Sequence, residues 1–150
     1  MTAILIIAHA PLASALRGVA MHAYAECAAD VQVLDVLPET PIDEVEAQAR
    51  ALLRRRDGLP ALILVDVFGA TPCNAAVRLL DDPATRVVAG VNVPMLWRTL
   101  CYAARESLDA LVARAIAGAT QGVMRVTCSR FQNQDVQPVH HDHGQGQDQQ

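Results

Sequence analysis

The sequence predicts an α/β fold: a parallel four-stranded sheet with helices on both faces, plus a C-terminal fifth strand. Two observations carry this. Short apolar runs alternate four times with longer stretches of helical period, the pattern of strands joined by right-handed helical crossovers. Hydrophobic residues make up 52% of the chain but aromatics only 3%. The core must therefore be built from Ala, Val, Leu and Ile, small enough for helices to pack closely on both sides of a parallel sheet. At 150 residues, with no internal repeat and no linker, the chain suits one domain over 1–130 followed by a polar tail over 131–150.

The elements follow in order. Residues 3–8 form the first strand and deliver His9. Residues 11 to about 29 form a helix with Leu12, Leu16, Val19 and Tyr24 as its apolar stripe and Pro11 in its first turn. Residues 31–36 are the second strand. Pro38 and Pro41 then punctuate a loop before a helix from 42 to about 55. Asp43, Glu44 and Glu46 open that helix and Arg54-Arg55-Arg56 close it, a polarity that suits the helix dipole. Asp57-Gly58 is a stop, and residues 61–66 are the third strand, ending on Asp66.

Thr71 is the expected N-cap of a helix from 72 to about 80, which Asp81-Asp82-Pro83 breaks. Residues 87–91 are the fourth strand. Asn92-Val93-Pro94 turns into a helix through about 104, and Ser107 and Asp109 open another to about 118. Residues 122–129 read as the fifth strand. A late strand with no helix after it joins a sheet edge, in its own subunit or in a partner's. Beyond Arg130 the composition shifts to Gln, His, Asp and Gly, which cannot bury enough apolar surface to order itself, so a disordered tail is expected.

No apolar run approaches the roughly 18–20 residues needed to cross a bilayer. No basic segment precedes the first apolar stretch, as a secretory signal requires, so a cytoplasmic protein is expected. Cys27, Cys73, Cys101 and Cys128 are widely spaced and read as reduced, mostly buried thiols. The formal net charge of −4 argues against a nucleic-acid footprint. His22 reads as structural or exposed. His140, His141 and His143 lie in the tail and lack the fixed geometry of a specific metal site.

The candidate site lies where strands run out. Ligands of open α/β sheets bind at the C-terminal strand ends. If the strands ending in His9 and Asp66 are neighbours, the carboxylate can accept one ring N–H of His9 and leave the other nitrogen's lone pair aimed outward. Neutral imidazole, with an unperturbed pKa of about 6.5, is a natural nucleophile near neutral pH. The helix start after His9 would offer free N–H groups to a phosphoryl group held there. The alternatives are an incidental loop histidine and an aspartate that caps the next helix. In the loop after Asp66, Gly69 permits positive φ, Thr71 offers a hydroxyl and Asn74 follows at the helix start; these three are the expected phosphate-binding residues. Neither Walker spacing nor a G-x-G-x-x-G run is present, so nucleotide binding has no motif support. Phe68, Pro94 and Met95 are the expected partner contacts; for Met95 and Trp97 a buried helix start is an equal alternative.

Three stretches carry a resemblance: 4–9 ending in His9, Leu-Val-Asp-Val-Phe-Gly-Ala-Thr-Pro-Cys-Asn-Ala-Ala at 64–76, and Ala-Gly-Val-Asn-Val-Pro-Met-Leu at 89–96. In order and spacing, over roughly residues 3–125, the chain resembles the IIA component of the mannose-family phosphoenolpyruvate-dependent sugar phosphotransferase system. The resemblance implies that His9 is phosphorylated, that Asp66 pairs with it, and that Thr71 is the hydroxyl residue of the D-x-x-G-[GAS]-[ST]-P-x-N loop. It further implies a homodimer that exchanges the late strand, the phosphocarrier protein HPr as donor, and a IIB component as acceptor. No metal, nucleotide or other cofactor is implied, and membrane contact arises only through a permease complex. Other readings stay open: a regulatory sensor of phosphorylation state, the phosphodonor subunit of dihydroxyacetone kinase, and a small-molecule enzyme using His9 as base and Asp66 as orienter. The kinase phosphodonor has a loop more like D-M-G-S, which the Phe68-Gly69-Ala70-Thr71-Pro72 run does not match.

Overall fold

In the computed structural model, which describes residues 1–127, β1 (Ala3–His9), β2 (Gln32–Val36), β3 (Ala61–Val65) and β4 (Thr85–Ala89) form one parallel sheet. The order is β2-β1-β3-β4. Chain direction across the sheet therefore reverses between β1 and β3, which pair from Ala3↔Ala61 to Ile7↔Val65. Ligand crevices open at such a reversal.

Alternation along β1 sorts the core into two layers. Ile4, Ile6 and Ala8 join Leu62, Leu64 and Val88 under α1 (Leu12–Ala23), α5 (Val93–Tyr102) and α6 (Leu108–Gln121). Leu5 and Ile7 join Ile63, Val65 and Val36 under α3 (Ile42–Leu53) and α4 (Thr71–Val77). Leu5, Ile6 and Ile7 have no exposed surface, and burying each stabilises the fold by roughly 1.5–3 kcal/mol. The strand is fixed in register because slipping one residue would trade these layers.

Several expectations need correction. The helix expected over 11–29 breaks at Tyr24 (φ −140°, ψ 54°) into α1 and α2 (Ala25–Ala29). The break lets the Tyr24 ring meet Trp97 edge to face at 6.1 Å. It also brings the carbonyls of Ala28 and Ala29 to the Arg17 guanidinium. α3 ends at Leu53, with a 3-10 turn over Arg54–Arg56, and α4 ends at Val77, with a 3-10 turn over Arg78–Asp81. The N-cap of α4 is Ala70 rather than Thr71, which is already helical. β4 starts at Thr85 rather than 87, because backbone pairing with Ala61 and Leu62 does not require apolar side chains. It ends before Gly90, whose φ of 90° turns the chain and sends its N–H to the carbonyls of Val65 and Asp66, each at 3.0 Å.

α5 and α6 pack through glycine. A Cβ on Gly118 would lie 2.7 Å from the Arg98 Cβ and 3.0 Å from the Pro94 carbonyl oxygen. Neither atom belongs to a flexible side-chain end, so the helices would have to separate. Gly118→Val is expected to destabilise the fold by about 2 kcal/mol, read as a lower denaturant midpoint. An unchanged midpoint would mean the contact yields freely.

The fifth strand expected over 122–129 is not formed within this chain as far as it is described. Gly122 caps α6, residues 123–127 have no regular structure, and Val123, Met124 and Val126 are exposed. Residues 128 and 129, Cys128, the tail histidines and the polar tail over 131–150 lie outside the described residues. Of the other cysteines, Cys73 is buried as expected, but Cys27 and Cys101 are exposed, because they fall off the core-facing stripes of α2 and α5. No helix among the described residues is long and apolar enough to cross a membrane.

Candidate functional site

β1 and β3 are adjacent, and their ends bring His9 and Asp66 together. The His9 ring Nδ1 lies 2.6 Å from Asp66 Oδ2, and the His9 backbone N–H donates to the same oxygen at 2.8 Å. Asp66 Oδ1 accepts from the Val67 N–H at 2.8 Å. The carboxylate thus receives two backbone donors besides the ring. Its side chain is 11% exposed whereas that of His9 is 49% exposed. An ionised carboxylate only accepts, so the ring must donate from Nδ1; in the neutral ring this puts the lone pair on Nε2. Burial pushes the Asp66 carboxyl up, but the His9 amide, the His9 ring and the Val67 amide outweigh it and hold the group below its ordinary range.

The faces of β1 decide which helix end the ring addresses. Ala8 faces α1, so His9, next along the strand, faces the layer of α3 and α4. The α1 start is also already occupied. Asp35 Oδ1 accepts from the N–H groups of Ala13 at 2.9 Å and Ser14 at 3.2 Å. The expected free amides after His9 are therefore satisfied by a carboxylate from β2, a correction to the sequence reading. Asp35 carried one signal in the sequence, an acid between Leu34 and Val36 near the end of a strand, which alternation alone does not explain.

The loop after Asp66 turns at Gly69 (φ 87°). The Asn74 side chain donates to the Gly69 carbonyl at 3.0 Å, and its backbone N–H donates to Ala70 O at 2.9 Å. Asn74 thus braces the loop from within. Thr71 is half-buried at the first residue of α4. Beyond its two chain neighbours, no atom lies within 4 Å of where a Gly69 Cβ would sit, so a side chain there meets backbone strain alone. Gly69→Ala is expected to cost about 1 kcal/mol in a denaturation midpoint. A cost near zero would show that the loop can turn another way.

Around the pair the rim is apolar. Phe68 is 84% exposed, with Val67 at 51% and Leu37 at 62%; Leu37 and Val67 were not singled out in the sequence. Met95 is 1% exposed and packs in the α1, α5 and α6 layer, so its expected place among the partner contacts is corrected: the stripe of α5 turns it inward. Pro94 is half-buried and packs against Gly122, at the join of α5 and α6. Asn92 caps α5, accepting from the Met95 N–H at 2.8 Å. His22 is exposed on α1 with its Nδ1 2.8 Å from the Gly18 carbonyl, apart from the site. A cavity of about 460 Å³ opens at the opposite edge of the sheet, among Thr2, Cys27, Gln32 and Leu100, and shares no residue with the His9 crevice.

The family model described as "PTS system fructose IIA component" matches residues 3–116. This chain belongs to the IIA family of the mannose-type sugar phosphotransferase system. Among curated proteins, this IIA component is 44% identical over 89 residues to the "PTS system mannose-specific EIIAB component" of Escherichia coli strain K12. That alignment covers 57% of the chain and 26% of the relative, so the chain spans about a quarter of the curated relatives it matches. Among solved structures, a phosphotransferase component EIIA from Streptococcus agalactiae superposes with a TM-score of 0.75 at 21% identity, covering 83% of this chain and 97% of that one. A mannose/sorbose specific IIA subunit from Enterococcus faecalis gives 0.74 at 26% identity, covering 85% and 96%.

Proposed function

We propose that this IIA component is a phosphocarrier that accepts a phosphoryl group from phospho-HPr on His9 and passes it to a IIB component. The observation that carries the reading is the 2.6 Å contact of His9 Nδ1 with Asp66, on a half-exposed side chain whose other ring nitrogen, Nε2, is then the nucleophile. In the first transfer the Nε2 lone pair attacks phosphorus in line. The bond from phosphorus to the donor imidazole breaks, and its electron pair returns to that ring. The Nδ1 proton stays on the His9 ring, held by Asp66, whose negative charge balances the phosphorylated imidazole. In the second transfer a nucleophile of the IIB component attacks, and the electron pair of the Nε2–phosphorus bond returns to Nε2. Positioning and electrostatics supply the catalysis, as in phosphoryl transfer generally.

The face parity of β1 favours the Gly69–Thr71 loop, rather than α1, as the receptor for the phosphoryl oxygens. The Thr71 hydroxyl and the loop amides are the donors, and Asn74 holds the loop's shape. An exposed nucleophile inside the apolar rim of Phe68, Val67 and Leu37 suits a protein surface as substrate better than a small molecule. In this reading Pro94, at the start of α5, is a further partner contact. The homodimer belongs to the same proposal: Val123, Met124 and Val126 are 73–89% exposed in the single chain and would be covered if the segment joined a partner's sheet edge.

The test is incubation of the full chain with phosphoenolpyruvate, enzyme I and HPr, followed by intact mass. One acid-labile phosphoryl group is expected. No gain in mass under conditions that phosphorylate a IIA control would end the proposal.

A further inference from the structure

Two carboxylates, on the strands flanking β1, hold the short segment that carries His9. On the β3 side Asp66 takes the His9 backbone N–H and ring nitrogen. On the β2 side Asp35 takes the Ala13 and Ser14 N–H groups. Only Ala10 and Pro11 separate His9 from the first residue of α1, so the position of one fixes the other. The Ala10 N–H donates to the Val36 carbonyl at 2.9 Å, one residue beyond Asp35. Pro11 stands at the N-cap of α1 with no side-chain cap of its own, so the cap arrives from 22 residues away in sequence.

We propose that Asp35 is a second positioning residue for phosphoryl transfer: by capping α1 from β2 it fixes the turn that carries His9. The inference rests on the reading of His9 as the phosphoryl carrier. Asp35 acts through the backbone. It lies opposite Ala8 in the register and on the α1 face, whereas His9 faces the other layer. Its charge also fills the positive end of α1, which would otherwise attract an anion away from the Asp66 loop. Held at Ala13 and Ser14, the His9 amide stays on Asp66, and the ring keeps its proton on Nδ1.

The test uses Asp35→Ala and Asp35→Asn in the full chain. Asparagine keeps an oxygen for the two amides and remains a good helix cap. Two readouts are taken: phosphoryl acceptance from phospho-HPr, and the ¹⁵N spectrum of the His9 ring, which reports the tautomer without any transfer. For Asp35→Ala, kcat is expected to fall roughly tenfold, less than the about hundredfold that an ångström of misplacement can cost. KM for phospho-HPr should be unchanged, the ring should become a mixture of tautomers, and Asp35→Asn should restore most of both. A plain helix cap would lower the melting temperature while leaving kcat and the His9 spectrum as in wild type, and that result overturns the proposal. If Asp35→Ala does not fold, Asp35→Glu displaces the α1 start by one methylene; unchanged kcat and spectrum there have the same consequence. If wild type accepts no phosphoryl group, the phosphocarrier reading fails, and an unaltered His9 spectrum in the variants separately sinks the role of Asp35.

Discussion

His9→Ala is expected to lose the acid-labile phosphoryl group entirely while keeping the fold. The side chain is 49% exposed at the strand end, so its removal opens no enclosed cavity. The residue's backbone N–H remains on Asp66, which also keeps the Val67 N–H. The stability lost is that of one charge-assisted hydrogen bond, about 1.5–3 kcal/mol at most. Function responds differently, since the only proposed nucleophile is gone. Intact mass after incubation with the phosphoryl donor chain should show no adduct, and circular dichroism should match wild type. An adduct of wild-type stoichiometry on His9→Ala would place the chemistry elsewhere.

Asp66→Asn is expected to slow transfer by at least about tenfold, some 1.4 kcal/mol on the barrier. The reason is tautomeric. Asparagine can present an N–H to Nδ1 in place of an acceptor, which moves the ring proton to Nε2 and removes the lone pair the reaction needs. Asp66→Ala leaves the ring free to sample both tautomers and should be less impaired than Asp66→Asn. Rapid-quench rates with phospho-HPr decide the order, and a wild-type rate for the asparagine variant would reduce Asp66 to a structural cap. Acid should reveal the same contact in stability. Because the folded carboxyl is held below its ordinary range, its contribution is fully present above about pH 3.9 and disappears as pH falls through the lower folded value. The gap in denaturant midpoint between wild type and Asp66→Asn should therefore close below pH 3.9. A gap that persists in strong acid would show that ionisation is not what stabilises the pair.

The placing of His9 and Asp66 at strand ends was legible because each ends an apolar run, and the adjacency of β1 and β3 then makes them meet. The layers were legible for the same reason, since the alternation of Ile4, Ile6 and Ala8 against Leu5 and Ile7 is a property of any strand. Other features depend on what lies across the fold. Periodicity describes residues 11–29 as one helix, but the chain breaks at Tyr24, whose ring packs edge to face on Trp97 of α5. Composition marks Met95 and Trp97 alike as apolar, yet the rotation of α5 buries the first and leaves the second 38% exposed. The early start of β4 arises from hydrogen bonds to Ala61 and Leu62, which side-chain patterns do not encode.

By itself, then, the sequence determined the alternation of strands and helices, the places of an imidazole and an acid at two strand ends and the glycine that turns the loop between β3 and α4, all set by local chemistry. Only the tertiary structure decided that β1 and β3 are neighbours, so that Asp66 meets the His9 Nδ1, that His9 lies on the α3 and α4 side of β1, and that Asp35 already closes the α1 end. Those three depend on side-chain direction across neighbouring strands, and direction is fixed by packing partners far away along the chain.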